Sequence, residues 1–128
     1  MNDEERDAAG LQVRREVLGD EYVDQALNSA DDFSRELQEH LNRFAWGVAW
    51  TRAGLDRRTR SLITLGLLTA LGKTAEIKTH TRGALRNGCT PDEIKEVFLH
   101  SAIYAGVPAA VEAFRAAQPV VQEQAPAN

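Results

Sequence analysis

Ala, Leu, Glu and Arg recur along this chain at intervals of three and four, and no stretch alternates β-branched with polar residues as a strand would. The pattern predicts an all-α protein of six or seven helices, with glycines where helices should stop. The first helix should span 3–18 and end at Gly19, a second 20–30, and a third 32–50, with Asp20 and Asp32 as caps. A long helix is expected from Asp56 to Leu71 before Gly72, and another over 74–87 before Gly88. Next comes the sharpest local signal. Thr90, Pro91 and Glu93 form a capping box at the head of the apolar positions Ile94, Val97, Phe98 and Ser101. Gly106 should close that helix and Pro108 open the last one, over 107–117. The remainder from Pro119, rich in Gln, Ala and Pro, reads as a flexible tail, which sets the domain at 1–118 and the tail at 119–128.

Length and composition narrow this picture. A chain of 128 residues, 43% hydrophobic, supports a single domain with one modest core. Short helices with wide apolar faces would leave surface uncovered in a monomer, so a homo-oligomer is expected. The net charge of −4 argues against nucleic acid and against anionic membranes as partners. That charge is unevenly spread. Residues 1–32 hold ten acids and three bases, a balance of −7, so the remainder carries nine acids and twelve bases, a balance of +3 suited to small anions. One cysteine, Cys89, leaves no CxxC redox pair and no cysteine-rich metal centre. The acidic start MNDEERDAAG does not read as a secretory signal, and LITLGLLTALG is too short to cross a bilayer; the expectation is a cytoplasmic protein.

Candidate chemistry centres on KTAEIKTHTRGALRNG, residues 73–88. Lys73, Glu76 and His80 are spaced three and four apart, so one helix face should carry them, and a carboxylate one turn from an imidazole can orient it for proton transfer. The plainer alternative is a solvated i,i+4 pair; half of a metal site is a third, but no further ligands are visible and no metal is expected. His100 and Tyr104, four apart, can line a pocket or pack at an interface, while His40 looks like surface. Arg57, Arg58 and Arg60 cluster at a helix start, and Arg82 and Arg86 sit beside His80. Guanidinium forks there would suit a small dianion, with some of the five simply solvated. Trp46 and Trp50 form an aromatic stripe, with Gly47 between them permitting close approach of a helix or ligand.

The runs WGVAWTRAGLDRRTRSLITLGLLTALG, EIKTH, RGALRNG and TPDEIKEVFLHSAIYAGVPAAVEAF resemble the carboxymuconolactone decarboxylase family of the alkylhydroperoxidase D-like superfamily, and the likeness starts as early as GLQVRREVLGDEYVDQAL. The redox members of that superfamily place two cysteines where Lys73 and Glu76 stand, and a glutamate at Ser61; this sequence therefore lacks peroxidase machinery. The resemblance implies decarboxylation of 4-carboxymuconolactone, a small dianionic lactone, to the β-ketoadipate enol-lactone in protocatechuate catabolism. It implies no cofactor, since the lactone is its own electron sink, and a homo-oligomer of six copies. His80 would donate the proton and Glu76 would orient it. Arg60, Arg82 and Arg57 would bind the carboxylates, and His100, Tyr104 and Trp46 would wall the pocket. Phe44, Ala45 and Val48 replace a Tyr-Cys pair and an acid common in the family, and Thr74 and Ala75 replace a Pro-His pair. These replacements support an alternative, a drifted member that acts on or binds a related lactone or aromatic acid.

Overall fold

The structure, a computed structural model, describes residues 1–124, and among them it has seven α-helices, one π-helical segment and no strand. The helices are α1 (Asp3–Leu18), α2 (Asp20–Asn28), α3 (Arg35–His40), α4 (Arg57–Leu71), α5 (Thr74–Arg86), α6 (Pro91–Ala105) and α7 (Val107–Gln124). Between α3 and α4 runs the π segment, Leu41–Ala49. The chain divides into two compact units, Met1–Asp56 and Arg57 onward. Each has its own apolar cluster, where composition led to the expectation of one.

Gly19, Gly72, Gly88 and Gly106 all adopt positive φ at or just beyond helix ends, which other residues reach only with strain. At the head of α6 both halves of the capping box are made: Glu93 N–H donates to Thr90 Oγ1 at 3.1 Å, and Thr90 N–H to Glu93 Oε1 at 2.9 Å. The start of α1 is held instead by Asn2, whose side chain accepts from Glu5 N–H.

Three expectations need correction. The helix expected over 32–50 begins only at Arg35, because Asp31 Oδ1 accepts from the N–H groups of Phe33 and Ser34 and holds a turn there. Asp20 lies inside α2 and pairs with Arg15 rather than capping. The tail does not begin at Pro119: α7 continues to Gln124, and Val120 is fully buried. A proline inside a helix removes one hydrogen bond, and burial of the residue after it offsets that loss. Residues 125–128 of the expected tail lie outside the described residues.

In the first unit α1 crosses the π segment at closest range where Gly10 meets Gly47. A Cβ on Gly10 would fall 1.8 Å from the carbonyl oxygen of Asn42 and 2.6 Å from the nitrogen of Gly47. The π geometry makes this crossing possible. With bonds such as Trp50 N–H to Ala45 C=O, residues five apart lie nearly above one another, so Asn42 and Gly47 face α1 together. Val13, Val17, Leu18, Val23 and Trp46 close the cluster, and the fork of Arg43 grips Asp7 through two 2.8 Å bonds.

The second unit packs α4 to α7 around Leu65, Ile77, Ile94 and Phe98, with Phe114 edge-on to Phe98. Cys89 is a core residue whose thiol points at the carbonyl of Arg58. No helix among the described residues is long and apolar enough to cross a membrane.

Candidate active site

Helix α5 presents the Glu76–His80 pair from one turn to the next, because Ile77, Thr81 and Ala84 on its other face anchor it in the core. Glu76 is exposed and His80 is half-buried, with its Nδ1 atom closed off from solvent. Burial pushes the imidazole from its ordinary 6.5 down to about 4, while the charge of Glu76 pulls the other way. At neutral pH His80 is therefore a neutral imidazole held beside a carboxylate. Lys73 stands just before the first turn of α5, where its carbonyl accepts from Ile77 N–H.

This burial has a measurable cost. The unfolded chain binds a proton at histidine near pH 6.5, whereas folded His80 does so only near pH 4, so acidification through that window favours unfolding. Below about pH 4 the group adds nothing further. The loss should reach roughly 1–3 kcal/mol, its upper part reduced by the solvent that still reaches the ring. Urea midpoints at pH 7 and pH 4.5 should lie closer together in His80→Gln than in the parent chain; equal gaps would mean that His80 titrates normally.

The arginines fall into separate groups. Arg58 forms an ion pair with Glu93, the residue that also completes the cap of α6, so it ties α4 to α6. Arg86 is exposed. Arg57 and Arg60 are half-buried on the first turn of α4, with the Nε of Arg60 closed off from solvent. Nearby, Asn87 donates to Ser61 Oγ at 2.8 Å and to the Arg57 carbonyl at 3.4 Å, fixing that turn against the end of α5. Arg82, two residues beyond His80, stands 3.6 Å from Glu123 of α7.

The rings of His100 and Tyr104 lie tilted to one another with 5.0 Å between their centres, and both are exposed. They wall a groove between α4 and α6, with Ile63, Gly66 and Ser101, to which α5 contributes no residue. Adjoining it is a cavity of about 770 Å³ lined by Leu62, Val97 and Leu99 as well. Trp46 is only 5% exposed and stacks on Trp50 within the first unit's cluster, which makes it core rather than a pocket wall. His40 lies at the surface against Phe44, as expected. Among the described residues no group of three or more His, Cys, Asp or Glu gathers as metal ligands do.

One residue with a clear signal went unread. Gly10, Val13, Arg14, Val17 and Leu18 share the buried stripe of α1, so the spacing already sets an arginine among apolar neighbours.

Comparison with known proteins adds a family context. The model of the carboxymuconolactone decarboxylase family matches residues 35–119. A 4-carboxymuconolactone decarboxylase of Acinetobacter baylyi is 46% identical over 123 residues, which covers 96% of this chain and 92% of that protein. A nitrosuccinic acid decarboxylase of Metarhizium robertsii is likewise 46% identical, over 89% of this chain and 80% of its own length. A 47-residue match to a 4-carboxymuconolactone decarboxylase of Pseudomonas putida is 49% identical and covers 37% of this chain and 98% of that sequence.

Proposed function

The chain belongs to the carboxymuconolactone decarboxylase family, and on that premise we propose that it is a carboxy-lyase converting 4-carboxymuconolactone to the β-ketoadipate enol-lactone without a cofactor. The observation that carries this reading is the near full-length likeness to the Acinetobacter enzyme, joined to the Glu76–His80 pair on α5. Breaking the bond between ring carbon and carboxylate releases CO2, and the electron pair passes through the ring double bond to the lactone carbonyl. The product needs one proton on the ring carbon alpha to that carbonyl. His80 supplies it, and Glu76 holds the ring oriented.

A neutral His80 is compatible with this role. A substrate dianion arriving beside a buried imidazole raises its proton affinity, so the proton enters with the substrate and leaves with the product. Arg60, Arg57 and Arg82 are our candidates for holding the carboxylates, since guanidinium forks match carboxylates bidentately. The exposed stripes Ile63, Leu67 and Leu71 on α4 and Leu99, Ile103 and Tyr104 on α6 support assembly as a homo-oligomer, six copies being what the family resemblance implies. A cytoplasmic site of action belongs to the same proposal.

The relative acting on nitrosuccinic acid favours a second reading at the level of substrate. A nitro group beside the leaving carboxylate is an electron sink of the same kind as a conjugated lactone carbonyl. The replacements at Phe44, Ala45 and Val48 are the sequence features that fit such a change.

The test is an ultraviolet assay with CO2 detection, run in buffer with a chelator, on 4-carboxymuconolactone generated in place and on nitrosuccinate in parallel. We expect chelator-insensitive turnover of the lactone. Release of CO2 from nitrosuccinate alone would transfer the assignment to the second reading, and release from neither by folded protein would overturn both.

A further inference from the structure

Charge is missing from one face of the second unit. Residues 61–72 and 97–111 contain no Asp, Glu, Lys or Arg, in a chain of which 27% is charged. The first run makes up most of α4, and the second extends from the middle of α6 into α7. Helices α4 and α6 lie side by side and parallel: Arg58 pairs with Glu93 near their heads, a Cβ on Gly66 would stand 3.7 Å from Val97 at mid-length, and Ala70 and Ala105 share a groove near their ends. The apolar side chains along this face point into solvent. Leu71 is 68% exposed, Ile103 78% and Tyr104 80%, with Leu67, Leu99 and Val107 alongside. Depletion of charge around exposed apolar and aromatic residues is the composition of an interface core, and the area matches in scale what a standard interface buries on each partner, about 800 Å².

The relief of the face identifies what covers it. Over the N-terminal half of the helix pair the surface is hollow, forming the cavity of about 770 Å³ lined in part by the small residues Gly66 and Ser101. Toward the C-terminal ends it is raised, because Leu71, Ile103 and Tyr104 project there. A hollow and a ridge side by side on one face are complementary to the same face turned by 180°. Each ridge then enters the other's hollow, the two contacts are identical, and the set closes at two.

We propose that this face is the isologous interface of a two-fold pair of copies, in which Ile103 and Tyr104 of each copy fill the hollow between α4 and α6 of the other. Glu96, which lines the hollow, then gives the Tyr104 hydroxyl an acceptor. The axis passes beside Leu67, which lies on α4 between the hollow and the ridge. This inference rests on the homo-oligomer proposed above, to which it gives a contact and a symmetry, and is independent of the substrate.

Sedimentation of the parent chain and of Tyr104→Glu tests the contact. The substitution puts a carboxylate into an apolar hollow beside Glu96, so the mass of the assembly should halve, a dimer falling to single chains or a hexamer to trimers, while Tyr104→Phe keeps the parent mass. Mild oxidation of Leu67→Cys should join each copy to its equivalent, because a two-fold axis sets the residues beside it opposite themselves. Gln122→Cys, exposed on α7, should stay unlinked, and the native Cys89 is buried. A parent chain that sediments as single chains overturns the homo-oligomer and this contact together. An assembled parent whose mass is unchanged in Tyr104→Glu, folded by circular dichroism, overturns this face alone and leaves the homo-oligomer standing. Halved mass without linked Leu67→Cys overturns the two-fold form. Should Tyr104→Glu fail to fold, the cross-link decides. Every readout is a mass, so failure of the decarboxylation assay is registered separately.

Discussion

Replacing His80 with Gln should lower kcat/KM for the decarboxylation by about 10² to 10⁴, the range that a positioned general acid contributes. Gln keeps a polar group of similar length in the same half-buried place on α5 but has no proton to give, so the loss should fall chiefly on kcat. The pH dependence separates this from a packing effect. In the free enzyme the group titrates near pH 4, so kcat/KM should report a low pKa, while kcat, measured with the dianion bound, should report a higher one. A Glu76→Gln variant should narrow the gap between His80 and an unassisted buried imidazole, lowering its pKa further, because the one charge opposing burial is removed. A loss under about tenfold in His80→Gln would remove His80 from the chemistry.

The second large effect is structural. Gly10→Ala should destabilise the protein by at least about 3 kcal/mol, more than most core overpacking, because the added carbon meets backbone rather than a side chain able to turn away. It would stand 1.8 Å from the Asn42 carbonyl oxygen, and neither α1 nor the π segment can retreat without giving up the burial of Trp46. Gly54→Ala is the control, since nothing lies within 4 Å of the site of its new carbon. Thermal melts by circular dichroism should show a large fall for the first and almost none for the second. Similar melts for both would mean that the crossing is looser than described.

The legible part of this fold was the part governed by local chemistry. The capping box at Thr90 and Glu93, and glycines ending helices at positive φ, depend on residues within a turn of each other, so the order of helices could be read directly. Glu76 and His80 were legible for the same reason, since helical spacing alone sets them one turn apart. Arg58 shows where that reasoning stops. On α4 it looks equivalent to Arg57 and Arg60, and only the placement of α6 reveals that Glu93 already occupies it.

The π segment and Pro119 belong with Arg58. A register of five in place of four follows from what the segment packs against: two glycines must meet for α1 and the segment to cross at backbone distance. Likewise, burial of Val120 carries α7 past a proline at which composition suggested an end. The sequence by itself determined that the protein is helical, where most helices begin and end, and which carboxylate and imidazole face the same way, because those follow from contacts three and four residues apart. Tertiary structure decided which polar groups lost their water. Burial lowers His80, encloses Arg14 and leaves Tyr104 in solvent, and burial is a property of neighbours brought together from distant parts of the chain.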